Sequence, residues 1–155
     1  MIIDKLNLKK TNKMAKLKTI KIKGKDYVMV NERVKYFREN YPDHSIVTYP
    51  IEKNETRVVP YNGTDRKKEA NIIFCCEIRN SEDKIISTGT AKEYENANFI
   101  NKTSYVENCE TSAVGRALAF LGIGNDESIA SADEVANAIN NQWVRQKRGA
   151  FYCEI

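Results

Sequence analysis

Histidines and closely spaced cysteine pairs are scarce in this sequence, which narrows the metal chemistry it can support. The 155 residues contain one histidine, His44, so a metal site built from several histidines is excluded. No pair among the four cysteines has the C-x-x-C spacing of a zinc or redox site. We expect reduced, buried thiols at Cys75, Cys76, Cys109 and Cys153, because a free cysteine packs like a small apolar residue. We expect no metal and no cofactor.

The sequence also lacks a long apolar run. No stretch approaches the roughly 20 apolar residues that span a bilayer. Residues 1–25 lack the apolar block of a signal peptide. We therefore expect a cytoplasmic protein with no membrane partner. At 155 residues, the chain is long enough for one domain with a hydrophobic core.

Charge is distributed unevenly along the chain. The whole sequence has a net charge of +4, but residues 1–25 contain nine lysines and one aspartate and carry +8. Such a basic arm either binds an anionic partner such as nucleic acid or is a solvated leader. We divide the chain into a flexible basic arm at 1–25, one domain at 26–140 and a C-terminal tail at 141–155.

Alternating patterns predict strands in the middle of the chain. Residues 71–79 and 84–95 each alternate with a period of two and are joined by polar turn residues, which predicts an antiparallel hairpin. Gly89 within the second strand predicts a bulge or a close approach of another backbone. Residues 46–51 and 57–61 are predicted as two further short strands.

Helical patterns flank these strands. A helix is predicted from an Asn31 cap through about Asn40, and a short helix follows the capping box Ser131 and Glu134. Helix, antiparallel strands, long helix and short helix predict an α+β fold. In this fold a long helix and shorter helices pack on one face of an antiparallel sheet with a β-hairpin core.

The long helix is predicted over Ser104–Gly124. Ser104 and Glu107 form a capping-box pattern, and glycines suited to a left-handed conformation follow the last apolar residue. Two residues exceed what a core helix needs: Gly115 allows a backbone or ligand to come close, and Arg116 is a candidate buried arginine. The predicted apolar stripe contains Val106, Cys109, Ala113, Ala117, Phe120 and Leu121.

The candidate groups for catalysis are carboxylates, which can transfer protons or hold magnesium. They are Glu77, Glu93, Glu95, Glu107 and Glu110. No nucleophile stands beside a base, and no glycine loop precedes a helix as a phosphate-binding loop does. We therefore interpret the carboxylates as surface or structural groups and the chain as a non-enzyme.

Basic and aromatic residues are interleaved, which is typical of proteins that bind single strands through phosphates and base faces. The basic residues of the body include Arg33, Lys35, Arg38, Arg79, Lys84, Lys92, Lys102 and Arg116. The aromatic residues include Tyr94, Phe99, Tyr105, Phe151 and Tyr152. The alternative is that the aromatic residues belong to the core or its rim.

The segment Thr111–Gly122, with its Gly-Arg-Ala-Leu-Ala-Phe-Leu-Gly run, resembles the helix of single-strand annealing proteins. That superfamily contains the phage Sak- and Erf-type recombination proteins and the eukaryotic strand-annealing recombination mediator. The order of elements over roughly residues 27–140 is also similar to their core.

The resemblance implies a homo-oligomeric ring or filament that holds single-stranded DNA in a basic groove without nucleotide hydrolysis. Arg116 matches the family's arginine, whereas Gly115 and Ala119 replace flanking residues that are basic in the eukaryotic relative. Further phosphate contacts would then come from the arm or from other basic residues of the body. The candidate DNA-binding residues are Arg116, Lys92, Lys102, Arg79 and Lys84.

We therefore expect a phage-type protein that binds single-stranded DNA and promotes annealing and recombination as a homo-oligomer in the cytoplasm of the host cell. The first alternative is an interaction protein that binds and inhibits or redirects a host protein, which the acidic body supports. The second is a metal-dependent nuclease that uses Glu77, Glu93 or Glu110.

Overall fold

The computed structural model of the protein describes residues 17–61, 65–124, 128–139 and 142. The helices and strands follow in the order β1 Thr19–Ile22, β2 Lys25–Val28, α1 Val30–Asn40, β3 Ser45–Tyr61, β4 Asp65–Arg79, β5 Ile85–Tyr94, α2 Asn101–Phe120 and α3 132–139. The described part forms an α+β fold, with one sheet of two strands and one of three, so the predicted fold class is confirmed.

The larger sheet is antiparallel in the order β3-β4-β5. The predicted hairpin is its β4–β5 pair, with Asn71 opposite Tyr94 and Ile78 opposite Ser87. Residues 46–51 and 57–61 are both strand, as predicted, but they are parts of one strand rather than two, because β3 runs without a break from Ser45 to Tyr61. Pro50 is tolerated inside β3 because β3 is an edge strand, and the pairing register shifts directly after it.

The main core lies between one face of this sheet and α2. Gly89 of β5 lies directly under α2, and a Cβ atom there would stand 2.5 Å from the Ala113 carbonyl oxygen. The prediction of a close backbone approach at Gly89 is therefore confirmed. Small residues of α2 permit the approach, since Cys109, Ala113 and Ala117 are fully buried along this contact. The buried cluster consists of Phe37, Ile72, Phe74, Cys76, Ile78, Cys109, Ala113, Ala117, Leu118 and Ile123.

Helix α2 begins earlier than predicted and has a kink near its start. Its first residue is Asn101, and Ser104, the predicted cap, has non-helical dihedral angles within it (φ −137°, ψ 25°). Its C-terminal end follows the prediction. Gly122 adopts a φ of 99°, its N–H donates to Ala119, and the N–H of Ile123 donates to Leu118. These two bonds are those of a Schellman motif, which satisfies the last carbonyls of a helix.

Helices α1 and α3 are joined at their N-terminal ends. The Ser131–Glu134 capping box is confirmed, with 2.8 Å from the Ser131 N–H to Glu134 Oε2 and 3.2 Å from the Glu134 N–H to Ser131 Oγ. Helix α1 starts at Val30 rather than after Asn31. The carboxylate of Asp133 accepts the free N–H of Val30 at 3.2 Å, as an anion does at a helix N-terminus.

Strands β1 and β2 form a short hairpin next to this junction. Its two-residue turn places Lys23 and Gly24 at positive φ, as such tight hairpins require. Leu17 before β1 packs against the main core. Part of the basic arm predicted at 1–25 therefore belongs to a strand. Residues 1–16, and the predicted tail apart from residue 142, lie outside the described residues.

The three described cysteines, Cys75, Cys76 and Cys109, are buried and free, as expected, whereas Cys153 lies outside the described residues. Burial raises the pKa of the Cys76 thiol to about 12, so this thiol stays protonated at neutral pH.

Candidate nucleic-acid interface

Residues 95–100, which we call the Phe99 loop, connect β5 to α2. The Glu95 N–H donates to the Ala70 carbonyl oxygen at 2.9 Å, which continues the β4–β5 ladder by one residue. The Ala97 N–H then donates to the Tyr94 carbonyl oxygen at 3.1 Å and closes a turn. The loop is thus attached to the sheet where it begins.

Asn101 holds the other end of the loop. Its side chain is fully buried and donates to Glu93 Oε2 at 2.8 Å and to the Tyr94 carbonyl oxygen at 3.2 Å. It also accepts a hydrogen bond from Asn108 Nδ2 at 2.7 Å, and its own N–H donates to Asn98 Oδ1 at 2.7 Å. Because buried polar groups are costly unless they are paired, this network stabilises one loop conformation.

Burial raises the pKa of the Glu93 carboxyl, and its hydrogen bond from Asn101 opposes that shift. Because Glu93 Oε2 accepts the buried Asn101 amide, the carboxylate faces the interior of the network. Sequence reasoning placed Glu93 among the candidate catalytic groups and missed Asn101. The spacing of Asn98 and Asn101, typical of side chains that bond to backbone three residues away, is the signal that would have found it.

Aromatic and apolar side chains of the Phe99 loop face solvent. Phe99 is 84% exposed and Ile100 is 54% exposed. The ammonium of Lys102, in the first turn of α2, lies 5.9 Å from the centre of the Phe99 ring. At the end of β5, the ammonium of Lys92 lies 5.3 Å from the centre of the Tyr94 ring. Two predicted DNA-binding lysines thus each lie against an aromatic ring, within the range of a cation–π contact.

Arg116 is partly exposed and already has an ionic partner. Its Nη1 lies 3.4 Å from Glu134 Oε1, and its guanidinium carbon lies 5.9 Å from the centre of the Phe120 ring. Phe120, predicted in the buried stripe, is 54% exposed, so its placement in the core is wrong. Arg116 therefore offers a partly neutralised charge beside an exposed ring.

Among the arginines whose side chains the structure describes, the fully buried one is Arg33 of α1 rather than Arg116. Its guanidinium donates to the carbonyl oxygens of Gly115 at 2.8 Å, Gly124 at 3.0 Å, Ile129 at 3.0 Å and Ser128 at 3.2 Å. Arg33, one of the basic residues considered for nucleic-acid binding, is therefore not accessible to a ligand. We call Arg33 and these four residues the Arg33 junction.

Two effects act on the pKa of Arg33. Burial lowers it, and the nearby carboxylates of Glu134 and Asp133 oppose that shift. An arginine nevertheless stays charged at neutral pH, because the guanidinium loses its proton only far above that range. The Arg33 junction therefore holds a permanent positive charge inside the protein.

The space left by the missing side chain of Gly115 is filled by another part of the protein. A Cβ atom at this position would lie 2.7 Å from Val30 Cγ2, and the Gly115 carbonyl oxygen accepts from Arg33. Of the two alternatives for Gly115, the close approach of another part of the chain is the one observed, because α1 fills the space that a ligand would need.

Arg79 and Lys84 lie at the opposite end of β5 from Lys92. Arg79 pairs with Glu77 at 2.6 Å and with Asp83 at 3.1 Å. Lys84 is exposed in the turn before β5. Lys92 lies eight positions after Lys84 along the extended chain, which corresponds to roughly 25 Å. The structure thus places two of the five candidates, Lys92 and Lys102, beside the two ends of the Phe99 loop. Arg79 and Lys84, at the β4–β5 turn, lie away from that loop.

The candidate catalytic carboxylates point to different places. Glu77 accepts the Tyr49 hydroxyl at 2.6 Å on the sheet face away from α2, and bonds from Tyr49 and Arg79 lower its pKa. Glu110 of α2 accepts the Thr48 hydroxyl at 2.6 Å. Within the described ranges, no three histidine, cysteine or acidic side chains are grouped to hold a metal ion.

The resemblance to single-strand annealing proteins stays a hypothesis after comparison with known proteins. No protein-family model, no curated protein and no solved structure matches this chain. In the part of the chain that the structure describes, no helix combines the length and apolar character needed to cross a bilayer.

Proposed function

We propose that this protein binds single-stranded DNA and promotes strand annealing as a homo-oligomer. The observation that carries the proposal is the pairing of Lys92 with Tyr94 and of Lys102 with Phe99 at the two ends of one loop. Single-strand binders combine cations for phosphates with ring faces for bases, and the residues at and beside the two ends of this loop supply both.

The electrostatics of the loop support the same proposal. The nearby Glu93 carboxylate is turned inward by its bond from Asn101, and Glu95 Oε2 lies 3.4 Å from the Ala70 N–H. Lys92 and Lys102 are exposed, so they are cations of this region that a phosphate can reach. The +8 charge of residues 1–25 adds long-range attraction for DNA.

Oligomerisation would make such weak contacts effective. One subunit offers few cations, but neighbouring subunits on one strand act together because each contact raises the effective concentration for the next. The resemblance of Thr111–Gly122 to annealing proteins supports this arrangement. We propose that the protein acts in the cytoplasm, where its DNA is, and that it does not hydrolyse nucleotides.

The test is the binding of a labelled single-stranded oligonucleotide at several salt concentrations, followed by annealing of complementary strands without magnesium. We expect affinity to fall linearly on a log–log plot with salt. Lys92→Ala and Lys102→Ala should each reduce the slope by about 0.7, the value for one phosphate contact on a single strand. The matched control is Lys53→Ala, which removes an exposed lysine of β3.

Size-exclusion chromatography with light scattering tests the oligomer. A species that stays monomeric with and without the oligonucleotide would contradict the annealing mechanism. Magnesium-dependent cleavage of the strand would instead indicate a nuclease.

The second candidate function is an interaction protein that binds and inhibits or redirects a host protein. The observation that favours it is the exposure of apolar side chains on strands β3 and β5. Tyr49 is 39% exposed, Ile51 is 56% exposed and Ile86 is 39% exposed. Absence of DNA binding even at low salt would favour this function over annealing.

A further inference from the structure

Phe99 is an unusual residue because folding leaves its ring in water. At 84% exposure it is the most exposed large apolar side chain among the described residues. A side chain that stays this exposed contributes little hydrophobic stabilisation, since that contribution scales with the apolar area removed from water. Its place in the loop is therefore not explained by packing.

The loop that carries Phe99 is held in one conformation rather than being free to collapse. Asn98 accepts the Asn101 N–H, and the Ile100 carbonyl oxygen accepts the N–H groups of Thr103 at 3.2 Å and Ser104 at 3.1 Å. The residues on both sides of Phe99 are thus bonded to the beginning of α2. An exposed ring on such a support loses little conformational freedom when a flat ligand covers it.

The charges around the ring indicate what kind of flat ligand fits. The Lys102 ammonium lies 5.9 Å from the ring centre, so a planar group on the ring would have a cation beside it. Lys92 and Tyr94 stand at the other end of the loop. The exposed carboxylate of Glu107 lies more than one turn further along α2 than Lys102. An aromatic face next to cations suits a nucleobase joined to a phosphate.

We propose that Phe99 is a base-stacking residue: one base of a bound single strand lies on its ring while the adjoining phosphate contacts Lys102. This proposal rests on the proposed DNA binding and adds a defined contact to it. Stacking uses the face of a base and leaves its pairing edge free, so a stacked base is still available to a complementary strand.

The test uses a tryptophan at the proposed contact. The chain has a single tryptophan, so Phe99→Trp in a Trp143→Phe background gives a protein with one indole, at the loop. The probe is a thymidine oligonucleotide of about 20 nucleotides, longer than a typical site. A second probe is an abasic strand of the same length, which has the same phosphates and no bases. The matched control is Ile51→Trp in the same background, at another exposed apolar position.

We expect the thymidine strand to quench the tryptophan at 99, the abasic strand to bind without quenching it, and the tryptophan at 51 to be unaffected. Equal quenching by both strands, or at both positions, would show that the effect is not stacking and would overturn the proposal. Binding of the thymidine strand, measured by anisotropy, without quenching at 99 would overturn stacking and leave DNA binding intact. Absence of binding to either strand would overturn the proposed function itself.

A second measurement uses affinity. Phe99→Ala should weaken binding of the thymidine strand by roughly 5- to 100-fold and leave binding of the abasic strand unchanged. Phe99→Tyr keeps a ring and should bind as the parent does. If Phe99→Ala instead lowers the oligomeric state of the DNA-free protein without changing the affinity per subunit, Phe99 is a subunit contact and the stacking proposal is wrong.

Discussion

The Arg33 junction and the Phe99 loop use the same kinds of group in opposite ways. In the Arg33 junction a cation is completely buried and all four of its described partners are backbone carbonyls of the same chain. At the Phe99 loop the flanking Lys92 and Lys102 and the Phe99 ring face water, and the buried amide of Asn101 holds the loop in place. A positive charge therefore says little about ligand binding until the oxygen atoms around it are known.

The largest effect should come from replacing the buried cation. Arg33→Met removes the guanidinium donor from four carbonyls, of which those of Gly115 and Gly124 are buried, and we expect a loss of about 3–5 kcal/mol in the free energy of unfolding. Urea unfolding followed by circular dichroism measures this loss. Arg33→Lys should lose less free energy of unfolding than Arg33→Met, because the lysine ammonium keeps the charge. It should still be less stable than the parent, because one ammonium cannot reach all four oxygens.

Arg116→Met is the matched control for Arg33→Met. Its ion pair with Glu134 is partly exposed, and such pairs contribute only about 0–1 kcal/mol. Equal losses for Arg33→Met and Arg116→Met would remove the distinction between the two regions.

An intermediate effect is expected beneath the Phe99 loop. Asn101→Ala removes both bonds donated by the buried amide and leaves Glu93 and Asn108 without their partner, which should cost about 1–3 kcal/mol. The same variant should weaken DNA binding, because the loop loses its support. Asn40→Ala is the control, since its exposed amide makes a single bond to Tyr36. A stable Asn101→Ala protein with parental DNA affinity would contradict the supporting role.

The smallest effect is a pH dependence at Glu93. Burial raises the pKa of this carboxyl, so the folded protein favours the protonated form more than the unfolded chain does. The associated stabilisation is present below the ordinary value of 4.5 and is lost as pH rises through the folded-state pKa. Glu93→Gln should therefore have a higher Tm than the parent at neutral pH, and the difference should disappear below about pH 4.5.

The control for this prediction is Glu107→Gln, at an exposed position on α2. Its Tm should follow that of the parent across the same range. A constant difference between Glu93→Gln and the parent at every pH would show that packing rather than protonation separates them.

Much of the fold follows from short-range patterns. The alternation of apolar and polar residues predicts the β4–β5 hairpin. The glycines after α2 predict where that helix ends, and the capping box of Ser131 and Glu134 predicts where α3 starts. Each of these depends on residues only a few positions apart, so the physical cause is present in the local sequence.

The errors concern long-range partners. The sequence alone groups Arg33 with the basic residues suited to nucleic-acid binding, because the carbonyls that bind it are 82 to 96 positions away in the chain. Its spacing was informative all the same, since Val30, Arg33 and Phe37 recur at helical intervals on the buried side of α1. Phe120 has the spacing of the buried stripe of α2, but it is the last residue of that helix and its ring is exposed. The outward position of Phe99 depends on the network around Asn101, of which the local sequence shows only the Asn98–Asn101 spacing.

The contact at Gly89 has a consequence for engineering. Because the backbones of β5 and α2 touch there, both elements that carry the ends of the Phe99 loop are fixed to each other independently of the loop's own residues. The pair can therefore serve as a frame in which residues 96–100 are exchanged for other short sequences. A library of such loops would present different side chains from one scaffold.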